Sequence, residues 1–124
     1  MNGFKRSVVV AFAVLLLCWF GGGPAGLAQS APTENQYNEQ ILHLSPQEQA
    51  AKLADQLGVW CIGTRPFYMG MTKQGAAKGY AYWSVTCAGG PSYMIQIPPD
   101  GHGAAIDCNM LKAQGQGREC YKSF

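Results

Sequence analysis

Apolar and polar residues alternate most regularly in "YAYWSVTC", where Ala81, Trp83, Val85 and Cys87 fall on one face and Tyr82, Ser84 and Thr86 on the other. Side chains alternate across a strand, so this period of two predicts a β-strand with one buried face. The flanking stretches share the pattern. "FYMGMT" places Phe67, Met69 and Met71 on one side, "SYMIQI" turns Tyr93, Ile95 and Ile97 inward, and "AAIDC" sets Ala104, Ile106 and Cys108 on one face. Between them lie "KQGAAKG", "AGGP" and "PPDGHG", whose Gly, Pro and Asp supply the backbone angles and side-chain acceptors that turns need. The expectation is an antiparallel meander of about four strands.

A different period governs "LSPQEQAAKLADQLG". Ala50, Leu53, Ala54 and Leu57 recur at helical spacing and form one apolar stripe. Ser45 and Glu48 make a Ser-x-x-Glu capping box, Pro46 suits the first helical position, and Gly58 supplies a left-handed stop. The spacing predicts a helix from Pro46 to about Leu57 whose stripe covers the sheet. The fold class expected is therefore α+β, one N-terminal amphipathic helix packed on a roughly four-stranded antiparallel meander.

Upstream of this helix the patterning fades. "QSAPTENQYNEQI", residues 29–41, is polar and rich in Gln, Asn and Glu, and reads as a flexible lead. The alternative is a short helix from Glu34 onward that docks on the domain. Residues 1–28 read as a secretory signal: Lys5 and Arg6 precede an apolar run from Val8 to Phe20, and small residues at Gly26 and Ala28 fit peptidase cleavage. The run is shorter than the ~20 residues of a membrane-spanning helix, so no span is expected after cleavage. Leu17 stands where a lipobox needs a small residue, which argues against a lipoprotein anchored at Cys18. A disulfide-stabilised domain over residues 42–124 would follow.

Removing the signal changes the electrostatic picture. Of nine basic residues, Lys5 and Arg6 leave, and the seven that remain balance seven acidic ones. A formally neutral domain lacks the basic footprint that nucleic acid would require.

Four cysteines remain, Cys61, Cys87, Cys108 and Cys120, and an exported chain of this size favours reading them as staples. In the meander, Cys87 and Cys108 finish at the same edge but two strands apart. At ~4.8 Å per strand their α-carbons would be roughly 9–10 Å apart, beyond the ~7 Å limit for a disulfide. Cys61 enters the first strand where Cys87 leaves the second, and Cys120 follows Cys108 through the flexible "NMLKAQGQGRE", so Cys61–Cys87 and Cys108–Cys120 are the expected pairs. Each closure contributes about 3 kcal/mol on a chain-entropy argument. A zinc site or a thioredoxin-like thiol would want Cys-x-x-Cys, which the chain lacks, so neither metal nor cofactor is expected.

Other chemistry is sparse. His43 lies before the helix cap and His102 in the "PDGHG" turn, and Asp100 before Gly101 reads as turn chemistry first. No Gly-x-Ser-x-Gly elbow, phosphate loop or His-Glu-x-x-His occurs. Tyr80 and Tyr82 lie opposite Trp83, on the face a single helix leaves uncovered; with Asp100 and His102 they are the candidate binding surface. The competing reading is that tyrosine is simply a good strand former.

The pattern "GYAYWSVTCAGGPSYMIQIPPDGHGAAIDC…LKA…EC", within residues 58–124, resembles a group of small four-cysteine exported proteins of alphaproteobacteria. More loosely, the order helix, strands, "DG" turn, strand is similar to PepSY-type modules, a resemblance that implies inhibition or binding in the cell envelope. Neither resemblance supplies a catalytic residue. The function expected is that of a non-enzymatic periplasmic or secreted binding or accessory protein with an envelope protein as partner. The alternatives are an inhibitor of a cell-envelope hydrolase that inserts residues 98–103, and, third, a small hydrolase.

Overall fold

The computed structural model describes residues 33–124, so the expected signal and the first part of the polar lead lie outside the described residues. Four strands form one antiparallel sheet in sequence order: β1 (Gly63–Met71), β2 (Ala81–Cys87), β3 (Ser92–Ile97) and β4 (Ala104–Asp107). Three helices accompany it, α1 (Gln36–Leu42), α2 (Pro46–Asp55) and α3 (Cys108–Ala113). Cys61–Cys87 and Cys108–Cys120 are disulfides, with Cα–Cα separations of 5.1 and 5.7 Å. The architecture is a small α+β domain.

The start of α2 is fixed by its cap. The Ser45 hydroxyl accepts the Glu48 N–H, while the Glu48 carboxylate accepts from the Ser45 backbone N–H at 3.0 Å and its hydroxyl at 2.6 Å. These bonds, the side-chain one first, hold the Glu48 pKa below the ordinary glutamate value. Ala50, Leu53 and Ala54 are buried from α2 against the sheet. The helix comes so close at Gly63 that a Cβ there would lie 2.1 Å from the Ala50 carbonyl oxygen, which only glycine allows.

Both faces of the sheet are buried. Trp83, Val85, Ile95 and Ile97 meet Leu53 and Ile41 on one face, while Met69, Tyr82, Met94 and Leu111 form a second cluster on the other. One helix was expected on one face, so this second cluster is a correction to the sequence reading. Its cover is the stretch after β4. Cys108 opens α3 instead of ending the last strand, because Asp107 accepts the Asn109 N–H at 2.8 Å and the Met110 N–H at 3.3 Å and starts a helix there. Leu111 then enters the cluster, and the chain returns along β1, where the Phe124 N–H donates to the Met69 carbonyl.

The flexible lead is corrected as well. The alternative reading, a short docked helix, holds instead: residues 36–41 of the lead are helical, and the described residues 33–41 belong to the compact unit. The cause is amide chemistry that a hydropathy pattern does not register. Asn35 caps α1 by accepting the Asn38 N–H and donates its side-chain N–H groups to the carbonyls of Gly79 and Ile97, each at 2.8 Å. Asn38 accepts the Trp83 indole N–H at 2.8 Å and donates to the Tyr68 hydroxyl. Both asparagines are almost fully buried, and the oxygen and nitrogen of each side chain are hydrogen-bonded, which satisfies the condition for polar burial.

The edge of the sheet at β1 is irregular. Its register with β2 shifts twice, Arg65 has φ +50°, and Pro66 has no N–H to offer. A bulge and a proline are devices that discourage strand addition at an edge.

Candidate functional site

The residues expected to form a binding surface separate in the structure. Tyr82 is only 4% exposed. Phe124 stacks edge-on over its ring with centroids 5.3 Å apart, and the Arg118 guanidinium sits 5.2 Å from the ring centre. Tyr80 is half-buried beside the same cluster. The proposed tyrosine face is therefore the second core, and the cover that replaces a partner is the chain's own stretch after α3. Asp100 accepts the His102 backbone N–H at 3.1 Å, a local turn bond, and His102 points to solvent. The four cysteines among the described residues are all in disulfides, so none of them offers a thiol. Among the described residues no group of three His, Cys, Asp or Glu side chains converges as a metal site.

Two other surfaces stand out. The first is the loop between α2 and β1, "VWCI". Val59 is 57% exposed, Trp60 86% and Ile62 56%, an unusual concentration of large apolar side chains in water. The loop is anchored on both sides of Trp60. Gly58 ends the preceding turn with φ +66°, Cys61 is bonded to Cys87 at the end of β2, and the Ile62 carbonyl accepts the Ala88 N–H at 2.8 Å. Trp60 thus projects from the end of the sheet on a backbone that is tied to it. Sequence reasoning assigns Trp60 no role, because the exposure of a tryptophan outside any periodic segment is not visible in the pattern. The available signal was a tryptophan between a helix-ending glycine and a disulfide cysteine.

The second is a cleft of about 410 Å³ between α1, α2 and the β3–β4 turn. Ile41, Leu44 and Ile97 line it with apolar surface, and Gln56 and Lys52 supply polar groups from α2. One wall is the Tyr37 ring lying flat on Gly101. A Cβ at Gly101, whose φ is +85°, would come within 2.6 Å of that ring. The "PDGHG" turn is in this way packed under α1 at Gly101, while Pro99, Asp100 and His102 are exposed.

No helix among the described residues is long and apolar enough to cross a membrane. No protein-family model, curated protein or solved structure matches the chain.

Proposed function

We propose that the chain is a non-enzymatic binding or accessory protein of the periplasm or the extracellular space, and that it recognises a protein partner through the Val59–Trp60–Ile62 projection. The observation that carries this reading is Trp60, 86% exposed on a loop that the Cys61–Cys87 bond ties to β2. A tryptophan held in place before binding loses little further freedom when it enters a pocket, and aromatic anchors of this kind dominate interface energies. Two disulfides fit an oxidising compartment, and the leader in residues 1–28 fits export.

Inhibition of an envelope hydrolase is the second reading, favoured by the same feature. A disulfide-held loop bearing a large apolar tip suits insertion into a cleft. The inserting element would then be residues 59–62 and not 98–103.

The test places a photocrosslinking residue at position 60 of the mature protein and, as control, at Ala113, then exposes each to envelope extract. A discrete adduct from position 60 alone is expected. Capture by otherwise unmodified protein should fall at least about tenfold in Trp60→Ala, as for a hot-spot aromatic. Equal capture by Trp60→Ala and wild type would remove the projection from the binding surface.

A further inference from the structure

The cleft between α1 and α2 has the composition of a small-molecule site, and its chemistry is separate from the Trp60 projection. We infer that it binds a small monocarboxylate with an apolar body. Its volume of about 410 Å³ lies within the ~300–1,000 Å³ range of small-molecule sites. The apolar side is part of the main core: Ile41 and Ile97 are 4% and 2% exposed and belong to the cluster around Trp83. An acyl or aryl body lying there would cover Leu44 and the exposed Tyr37 ring.

The polar side selects the charge of the ligand. Lys52 is the only charged residue among the described residues of the lining, and Gln56 beside it offers an amide donor. All seven acidic residues of the chain are among the described residues, and the only ion pairs they make with described residues, Lys52 included, are Glu34 with Lys73 and Glu119 with Lys122. Lys52 therefore has no carboxylate partner within the protein. A single uncompensated cation at the mouth of an apolar cleft is complementary to one carboxylate, and a cationic or doubly anionic head would be left unmatched.

The walls are fixed in advance. Asn35 and Asn38 lock α1 to the sheet through the carbonyls of Gly79 and Ile97 and the Trp83 indole, and Tyr37 rests on Gly101 across the opening. The cleft is thus built into the fold and does not depend on an ordering step, which is the condition for useful affinity toward a small ligand.

Octanoate, octanol and octylamine are suitable probes, titrated separately below their aggregation limits into the mature protein and followed by backbone NMR. Octanoate should shift the amides of Tyr37, Ile41, Lys52 and Ile97 saturably. It should bind roughly three- to fivefold more tightly than octanol, the margin an exposed ion pair supplies, and octylamine should be the weakest. Lys52→Gln should bring octanoate down to the octanol affinity and leave octanol unchanged. Leu44→Glu should abolish octanoate binding, with an otherwise native spectrum showing that the fold is intact. Equal affinities for octanoate and octanol in the wild type, no effect of Lys52→Gln, or shifts confined to the Trp60 loop would each overturn the assignment. So would the absence of saturable shifts, as when another part of the chain or a second copy fills the cleft.

Discussion

The two faces of the sheet are closed by different means. On one, the capped helix α2 and the short helix α1 lay Leu53 and Ile41 over Trp83, Val85, Ile95 and Ile97. On the other, Tyr82, Met69 and Met94 are covered by Leu111 from the six-residue helix α3 and by a largely irregular return that ends at Phe124. That return leans on single contacts. The Tyr121 N–H donates to the Ser84 hydroxyl at 3.0 Å, the Tyr121 hydroxyl bonds Thr86, and Arg65 and Arg118 sit over aromatic rings. A regular amphipathic helix brings its own hydrogen bonds and several apolar groups at once. An irregular segment brings few, and here Cys108–Cys120 restricts the freedom it must lose.

The sharpest way to break the first face is Trp83→Ala. It removes a side chain 1% exposed and leaves the buried Asn38 oxygen without its donor, so a loss of about 3–5 kcal/mol is expected from chemical denaturation. On the second face, replacing Cys108 and Cys120 together by serine should cost about 2–4 kcal/mol. Hydrogen exchange should then rise first at residues 108–124 and at β2 amides beneath them, while α2 keeps its protection. Uniform loss of protection over both faces would show that the two close as one unit.

Tyr82 refines the contrast. Tyr82→Ala should destabilise by about 2–4 kcal/mol, as for a buried aromatic in a partly collapsible site. Tyr82→Phe should be nearly neutral, within about 0.5 kcal/mol, because no hydrogen bond to the Tyr82 hydroxyl occurs among the described residues. The smallest effect concerns the cap of α2. The folded pKa of Glu48 is depressed, so its contribution is present above the pKa of an unfolded glutamate and fades as pH falls through the lower folded value. An NMR titration should place the Glu48 midpoint below the ordinary glutamate value, and Ser45→Ala should raise it.

The same contrast separates what the residues announced from what they concealed. Period-two alternation from Ala81 to Cys87, the Ser45–Glu48 box and the strand-by-strand direction of the cysteines were sufficient for the meander and both disulfides. The second face was missed because nothing in "LKAQGQGRECYKSF" is periodic; its cover depends on long-range contacts such as Phe124 on Tyr82. Asn35 and Asn38 were read as a loose tail because polarity signals exposure until the partners of each amide are known. Trp60 and the α1–α2 cleft are features of placement: a residue type says little until its exposure and neighbours are fixed in space.

The connectivity of the crosslinks also bears on how the molecule matures. Among the described residues each cysteine pairs with the next one along the chain, 61 with 87 and then 108 with 120, without nesting or crossing. The first bond encloses only the β1–β2 hairpin, and the second only α3 and the segment after it. A chain that has lost the expected leader with its Cys18, and that emerges into an oxidant from its N-terminal side, presents the right partner each time before a wrong one appears. Pairing consecutive thiols in order of appearance then yields the native set directly, and reshuffling by an isomerase is not required.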